Sequence, residues 1–162
     1  MRRTSFSDMS CSIARCLEQI GDWWTLLLIR EALSGTRRFG EFQSRLGIAP
    51  NVLTNRLQGL VQHGILQVAA TSENGRALDY RLTDKGRDLF PVIVALAQWG
   101  DRHVPAPEGP PVQIVDRESR RPIAPLQVRS SDGRVLQARD VALQLSERFR
   151  LDGDAPKPRA RD

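Results

Sequence analysis

Asn51, Asn55, Gln58 and Gln62 recur at helical spacing in the middle of the chain. Leu53, Leu57 and Leu60 are interleaved with them and fall on the opposite side of the same helical wheel. A helix that buries those leucines would present the amide side chains outward together, and amides can pair bidentately with adenine in the major groove of DNA. Asn51, Thr54 and Asn55 are therefore candidates for contact with base edges or nearby phosphates. Gln58 shares the amide face, Thr54 and Arg56 lie on its flanks, and Pro50 sets the start of the helix. The bland alternative is a merely solvated polar face.

Arg37, Arg38 and Arg45 surround the preceding segment, where they could meet phosphates, and Arg76 stands close to the tip of an expected hairpin, from which it could enter the minor groove. Each alone reads equally well as surface charge; their grouping around one presumed face raises the odds. The formal charge of +5 and a pI near 10.2 favour an anionic partner such as nucleic acid. Lys85 and Lys157 are the only lysines, so the arginine excess is also what a GC-rich genome would produce.

Other chemistry is scarce. Cys11 and Cys16 are too few for a disulfide framework or a four-thiolate metal site. His63 and His103 are the only histidines, and there is no GxSxG, HExxH or Gly-rich phosphate loop. No enzymatic activity, cofactor or metal is expected. No apolar run approaches the ~18 residues needed to cross a bilayer, and the basic start of the chain does not lead into a secretory signal, so a cytoplasmic location is expected.

The elements that must position these residues can be read from periodicity and punctuation. Ile13, Cys16, Leu17 and Ile20 mark a first short helix that Gly21 stops, with Cys16 expected in the core. Asp22 stands as N-cap before the nearly continuous apolar run Trp23 to Leu33, which Gly35 ends. Phe39 to Leu46 forms a third helix closed by Gly47, and Pro50 opens the fourth, which ends at Gly64. Two short helices joined by a tight Gly-containing turn make a helix-turn-helix unit.

Extended segments follow at Ile65 to Thr71 and Leu78 to Leu82, around the turn signal Asn74-Gly75. Thr83 then caps a last long helix reaching about Gly100, in which Pro91 should cause a bend or interruption. The fold expected is mainly α with a β-hairpin wing, a winged helix-turn-helix, plus a small β-rich C-terminal extension. Its parts are a DNA-binding and dimerisation domain over 1–103, a Pro-rich linker over 104–111, a small ribbon over 112–150 and a disordered tail over 151–162. In the ribbon, short strands are expected at Val112 to Val115 and Ile123 to Val128, with a turn at Ser131-Asp132-Gly133-Arg134.

An ordered series of motifs resembles one family: Cys11 with Ile13-Ala14-Arg15, Ile20-Gly21-Asp22-Trp23-Trp24-Thr25, Arg37-Arg38-Phe39-Gly40-Glu41-Phe42, Leu53-Thr54-Asn55-Arg56-Leu57, Gly64-Ile65-Leu66, and Tyr80-Arg81-Leu82-Thr83-Asp84-Lys85-Gly86. Over residues 9 to 103 the chain looks like the HxlR family of bacterial transcriptional regulators. The resemblance implies a homodimer joined through the first and last helices of the winged domain. Each recognition helix would then address one half of a palindromic operator in double-stranded DNA, with repression the expected outcome.

The resemblance also implies a small-molecule or oxidant effector, with Cys11 at the position where some members carry a redox-sensing cysteine; the alternative for Cys11 is a small apolar residue packed near the dimer interface. Ser12 and Trp23 depart from the usual proline and lysine. The end of the extension, Leu136-Gln137-Ala138-Arg139-Asp140-Val141, is similar to that of a small zinc ribbon found in some members. Here the ligand positions hold Asp116, Ser119, Arg129 and Asp132, so a metal-free ribbon is expected. The competing possibility is a winged-helix adaptor that binds protein rather than DNA.

Overall fold

The computed structural model describes residues 5, 6, 8–70, 78–110 and 112–145. Six α-helices and a two-stranded antiparallel sheet follow in the order α1 (Ser12–Ile20), α2 (Trp23–Leu33), α3 (Phe39–Leu46), α4 (Pro50–Gln62), β1 (Leu66–Ala70), β2 (Leu78–Leu82), α5 (Asp84–Arg87) and α6 (Phe90–His103). Two compact units divide the chain between Phe90 and Pro91.

Local chemistry sets each boundary in the first unit. Asp22 caps α2 by accepting from the backbone N–H groups of Trp24 and Thr25, at 3.1 and 3.4 Å. Gly47 ends α3 at φ +61°, the left-handed conformation that costs glycine least. Pro50 occupies the first turn of α4, where its missing N–H would have had no partner in the helix. Glu41 accepts from the backbone N–H groups of Arg37 and Arg38 at the start of α3, 3.2 and 3.1 Å away.

The core of this unit is one apolar cluster. Leu28 and Ile29 of α2, Phe42 of α3, Leu53, Leu57 and Leu60 of α4, and Ile65 and Leu66 at the start of β1 are all buried. Burying each such side chain contributes roughly 1.5–3 kcal/mol, so the unit is held mainly by these eight residues. α4 therefore has no freedom to rotate its leucines outward.

The wing pairs Leu66 with Leu82, Val68 with Tyr80 and Ala70 with Leu78. Its turn, including Asn74-Gly75 and Arg76, lies outside the described residues. A third short edge joins the sheet: Arg38 bridges Asp79, and the Tyr80 N–H donates to the Arg37 carbonyl at 2.8 Å. The approach to α3 is thereby stitched to the wing.

Three sequence expectations are corrected. The helix after the wing does break near Pro91, but at Asp88–Leu89; Pro91 is the second residue of α6, a position that needs no N–H partner, and α6 runs on to His103. The β-rich extension is not seen. Among the described residues beyond α6 there are only two isolated antiparallel bridges, Val115 with Pro122 and Arg129 with Val135, and one 3-10 turn at Ala138–Asp140. The turn at 130–134 is present, closed by Gly133 N–H to Ser130 O at 2.9 Å, yet no ladder continues from it. Finally, Cys16 is exposed rather than core: on α1 only Ile20 is buried, whereas Ile13 and Leu17 are 71% and 46% exposed. The expected tail over 151–162 lies outside the described residues.

Candidate nucleic-acid interface

α4 carries the candidate face. With Leu53, Leu57 and Leu60 sealed into the core, Pro50, Asn51, Thr54, Asn55, Gln58 and Gln62 are all exposed. The Thr54 hydroxyl donates to the Pro50 carbonyl at 2.8 Å, inside its own helix. No acidic residue occurs on α4, so nothing on the helix repels a polyanion.

Arg56 departs from the expectation of a flanking DNA contact. Its guanidinium Nη2 donates to Asp22 Oδ2 at 2.9 Å, and the two side chains are only 33% and 20% exposed. Its Nε is buried without a partner. Asp22 thus holds the start of α2 through Oδ1 and the middle of α4 through Oδ2. The pairing spans 34 residues of sequence, so a helical wheel had no means of seeing it.

The other arginines are divided. Arg37 is exposed, and its backbone rather than its side chain meets the wing. Arg38 lies 4.0 Å from Asp79, a buried carboxylate that also accepts from Arg81 at 3.2 Å. Arg45 lies 3.6 Å from Glu31, which pairs with Arg30 at 2.7 Å. Both Arg38 and Arg45 remain more than half exposed, so each can meet solvent or a phosphate while neighbouring its carboxylate. Cys11 is exposed at the N-cap of α1.

Sequence reasoning missed Lys85 and Glu41. The Lys85 ammonium donates to Gln19 Oε1 on α1 at 2.8 Å and to the carbonyl of His63, the C-cap of α4, at 2.7 Å. It acts as a cation at a helix C-terminus that has no basic residue of its own in the last turn. Glu41 had a legible signal, an acid three residues after an N-cap position. Its backbone hydrogen bonds from Arg38 and Arg37, helped by the charges of Arg38 and Arg45, hold its carboxyl below the usual glutamate range.

The positions expected to match zinc ligands are occupied by hydrogen bonds within two turns. Asp116 accepts from the Ser119 backbone N–H at 2.6 Å, Arg129 donates to the Gly133 carbonyl at 2.8 Å, and Asp132 accepts from the Ser130 hydroxyl. Those bonds hold both aspartate carboxyls below their ordinary pKa: Ser119 chiefly in the case of Asp116, Ser130 chiefly in that of Asp132.

Comparison with known proteins agrees with this architecture. Residues 19–108 match the HxlR-like helix-turn-helix family. Rv3095 of Mycobacterium tuberculosis, described only as an HTH-type transcriptional regulator, is 42% identical over 130 residues, covering 80% of this chain and 82% of that protein. The crystal structure of PA1607 superposes with a TM-score of 0.82 at 46% identity, over 88% of this chain and 100% of that one. The redox regulator HypR in its oxidised form is similar with a TM-score of 0.53 at 29% identity, over 57% of this chain and 97% of that one. Helices that bury leucines and expose amides, a hairpin stitched to the approach to α3, and these matches together lead to one statement: the chain belongs to the HxlR-like helix-turn-helix family of DNA-binding transcriptional regulators, and not to an enzyme family.

Proposed function

We propose that the protein is a cytoplasmic, homodimeric, sequence-specific regulator, a repressor, that reads a palindromic operator with α4 in the major groove. The observation that carries this reading is the division of α4: three leucines buried at 0–1% exposure and every amide side chain on the other face open to solvent. Asn51, Thr54 and Asn55 address base edges, with Gln58 beside them, and Pro50 fixes where the helix begins. Arg37, Arg38 and Arg45 take phosphates, and Arg76, outside the described residues, is the candidate for a minor-groove contact. Arg56 acts by holding α4 in place rather than by touching DNA.

Two exposed apolar faces support the dimer. Ile13 and Leu17 on α1, and Val92, Leu96 and Trp99 on α6, are each more than two-fifths exposed, which is costly for a chain that stays alone. In this reading residues 1–103 serve DNA binding and dimerisation, and the extension needs no metal, its turns being closed by hydrogen bonds. A two-fold dimer would place its two reading helices about one DNA turn, ~34 Å, apart. An effector acts by favouring one spacing over another. The exposed sulfur of Cys11 and the likeness to a redox regulator support an oxidant as one such signal.

Selection of bound fragments from genomic DNA, with and without an oxidant, tests the proposal. Recovered sites should share an inverted repeat. Asn55→Ala should weaken binding to them by roughly 1–3 kcal/mol while leaving non-specific binding nearly unchanged. A pure protein that ignores duplexes of every sequence at low salt would overturn the reading in favour of a protein-binding adaptor.

A further inference from the structure

A cleft of about 310 Å³ opens between α1, the start of β1 and α5. Ile20, Ile65 and Leu89 give its lining an apolar part. Arg15, Lys85 and Gln19 also line it, and no carboxylate occurs among the described residues that do. Two cations beside apolar side chains, with no counter-charge in the lining, favour an anion with an apolar body. The Lys85 ammonium has three N–H donors; Gln19 and His63 accept two of them, which leaves one for a ligand. Arg15 is exposed, and among the described residues its one hydrogen bond to a side chain, to the Ser12 hydroxyl, is long at 3.4 Å, so it can be exchanged for a bond to an anion.

We propose that this cleft is an effector site for a small organic carboxylate of about the size of benzoate. The carboxylate is taken by Lys85 and Arg15, and the apolar body lies on Ile20, Ile65 and Leu89. The site is wired to the reading helix through Lys85, because the same ammonium grips the carbonyl of His63 at the end of α4 and Gln19 on α1. A carboxylate on the third N–H of Lys85 draws the same ammonium toward itself and so weakens its bonds to Gln19 and His63, loosening the tie between α1 and α4. Regulation of DNA binding rests on the reading given under Proposed function; ligand binding does not.

The test is an NMR titration of the full chain, without DNA, using benzoate, with acetate and benzyl alcohol as controls at equal ionic strength. Benzoate should saturate, with amide shifts centred on Gln19, Ile65 and Lys85. Acetate lacks the apolar body and benzyl alcohol the charge, and each should bind about tenfold more weakly or worse. Lys85→Gln should lose about tenfold in benzoate affinity. Arg15→Gln, at an exposed cleft position with no bond to α4, should also lose about tenfold and answers any objection that Lys85→Gln has disturbed α4. Equal binding of benzyl alcohol, shifts centred elsewhere, or undiminished binding by Arg15→Gln would overturn the assignment. Benzoate should then weaken binding to the selected DNA several-fold; unchanged affinity at saturation would overturn the effector role. A chain that takes benzoate in this cleft yet binds no DNA supports the site and refutes the regulator reading alone.

Discussion

Arg56 and Asp22 permit a sharp separation between holding the reading helix and touching DNA. Asp22 has two functions, capping α2 through Oδ1 and pairing with Arg56 through Oδ2 at 2.9 Å. Asp22→Asn keeps a capping acceptor and removes the charge, whereas Asp22→Ala removes both. With side chains 33% and 20% exposed, the pair lies between an open surface bridge and a buried one, so its loss should cost about 1–2 kcal/mol. The lost cap should add about 1 kcal/mol in Asp22→Ala. Arg56→Met keeps the packed stem and removes a buried Nε that has no partner, so it should be the mildest of the three changes. The expected order of destabilisation in urea, at one fixed protein concentration, is Arg56→Met, then Asp22→Asn, then Asp22→Ala. A double-mutant cycle should return a coupling of about 1–2 kcal/mol. DNA binding supplies the decisive reading. Loss of one phosphate contact lowers the slope of log K against log salt by about 0.9. The Arg56→Met slope should equal that of the unaltered protein. Unaltered stability together with a reduced slope would refute the assignment of Arg56 to the fold.

Three further outcomes are expected. A Cβ at Gly86 would run into the Ile65 carbonyl oxygen and come within 2.8 Å of Leu82 Cδ2, so Gly86→Ala should destabilise by about 2–3 kcal/mol, while Gly59→Ala, with open space on α4, should stabilise by about 0.4–1 kcal/mol; chemical denaturation of both variants checks the opposite signs. Because the Glu41 pKa is lowered in the fold, its contribution is complete above the usual glutamate range and fades as pH falls through the lowered value; an NMR titration of its carboxyl should give a midpoint below the ordinary glutamate value, and Glu41→Gln should flatten the acid limb of stability. Leu17→Asp, on the exposed face of α1, should leave a folded monomer by sedimentation, and a dimer that persists would move the interface elsewhere.

The parts of this fold that could be read from sequence are those written in short-range chemistry. Asp22 as a cap, Gly47 as a left-handed stop, Pro50 in a first turn and the pairing of the wing strands all depend on residues within a turn or a hairpin of one another. What escaped was written at long range. Arg56 finds Asp22 from another helix, and Lys85 joins α1 to the end of α4. The stripe on α1 announced that a face wants cover, but amphipathicity does not say whether that cover belongs to the same chain, so Cys16 was assigned to a core it does not enter. In the extension, Val112 to Val115 and Ile123 to Val128 have strand-like composition, yet a ladder needs a partner in register, and only single bridges form.

If α4 enters the major groove as proposed, the hydrogen bond from Thr54 to the carbonyl of Pro50 narrows what this helix can say to a base pair. A hydroxyl has one proton, and here it is committed to the first turn. What Thr54 still offers a neighbour is an oxygen lone pair and a methyl group. Those suit the exocyclic amine of cytosine or adenine, or the methyl of thymine, and they leave the carbonyl of guanine unanswered at that step. On that proposed reading, a base preference at the step Thr54 meets is limited by a bond the helix makes to itself.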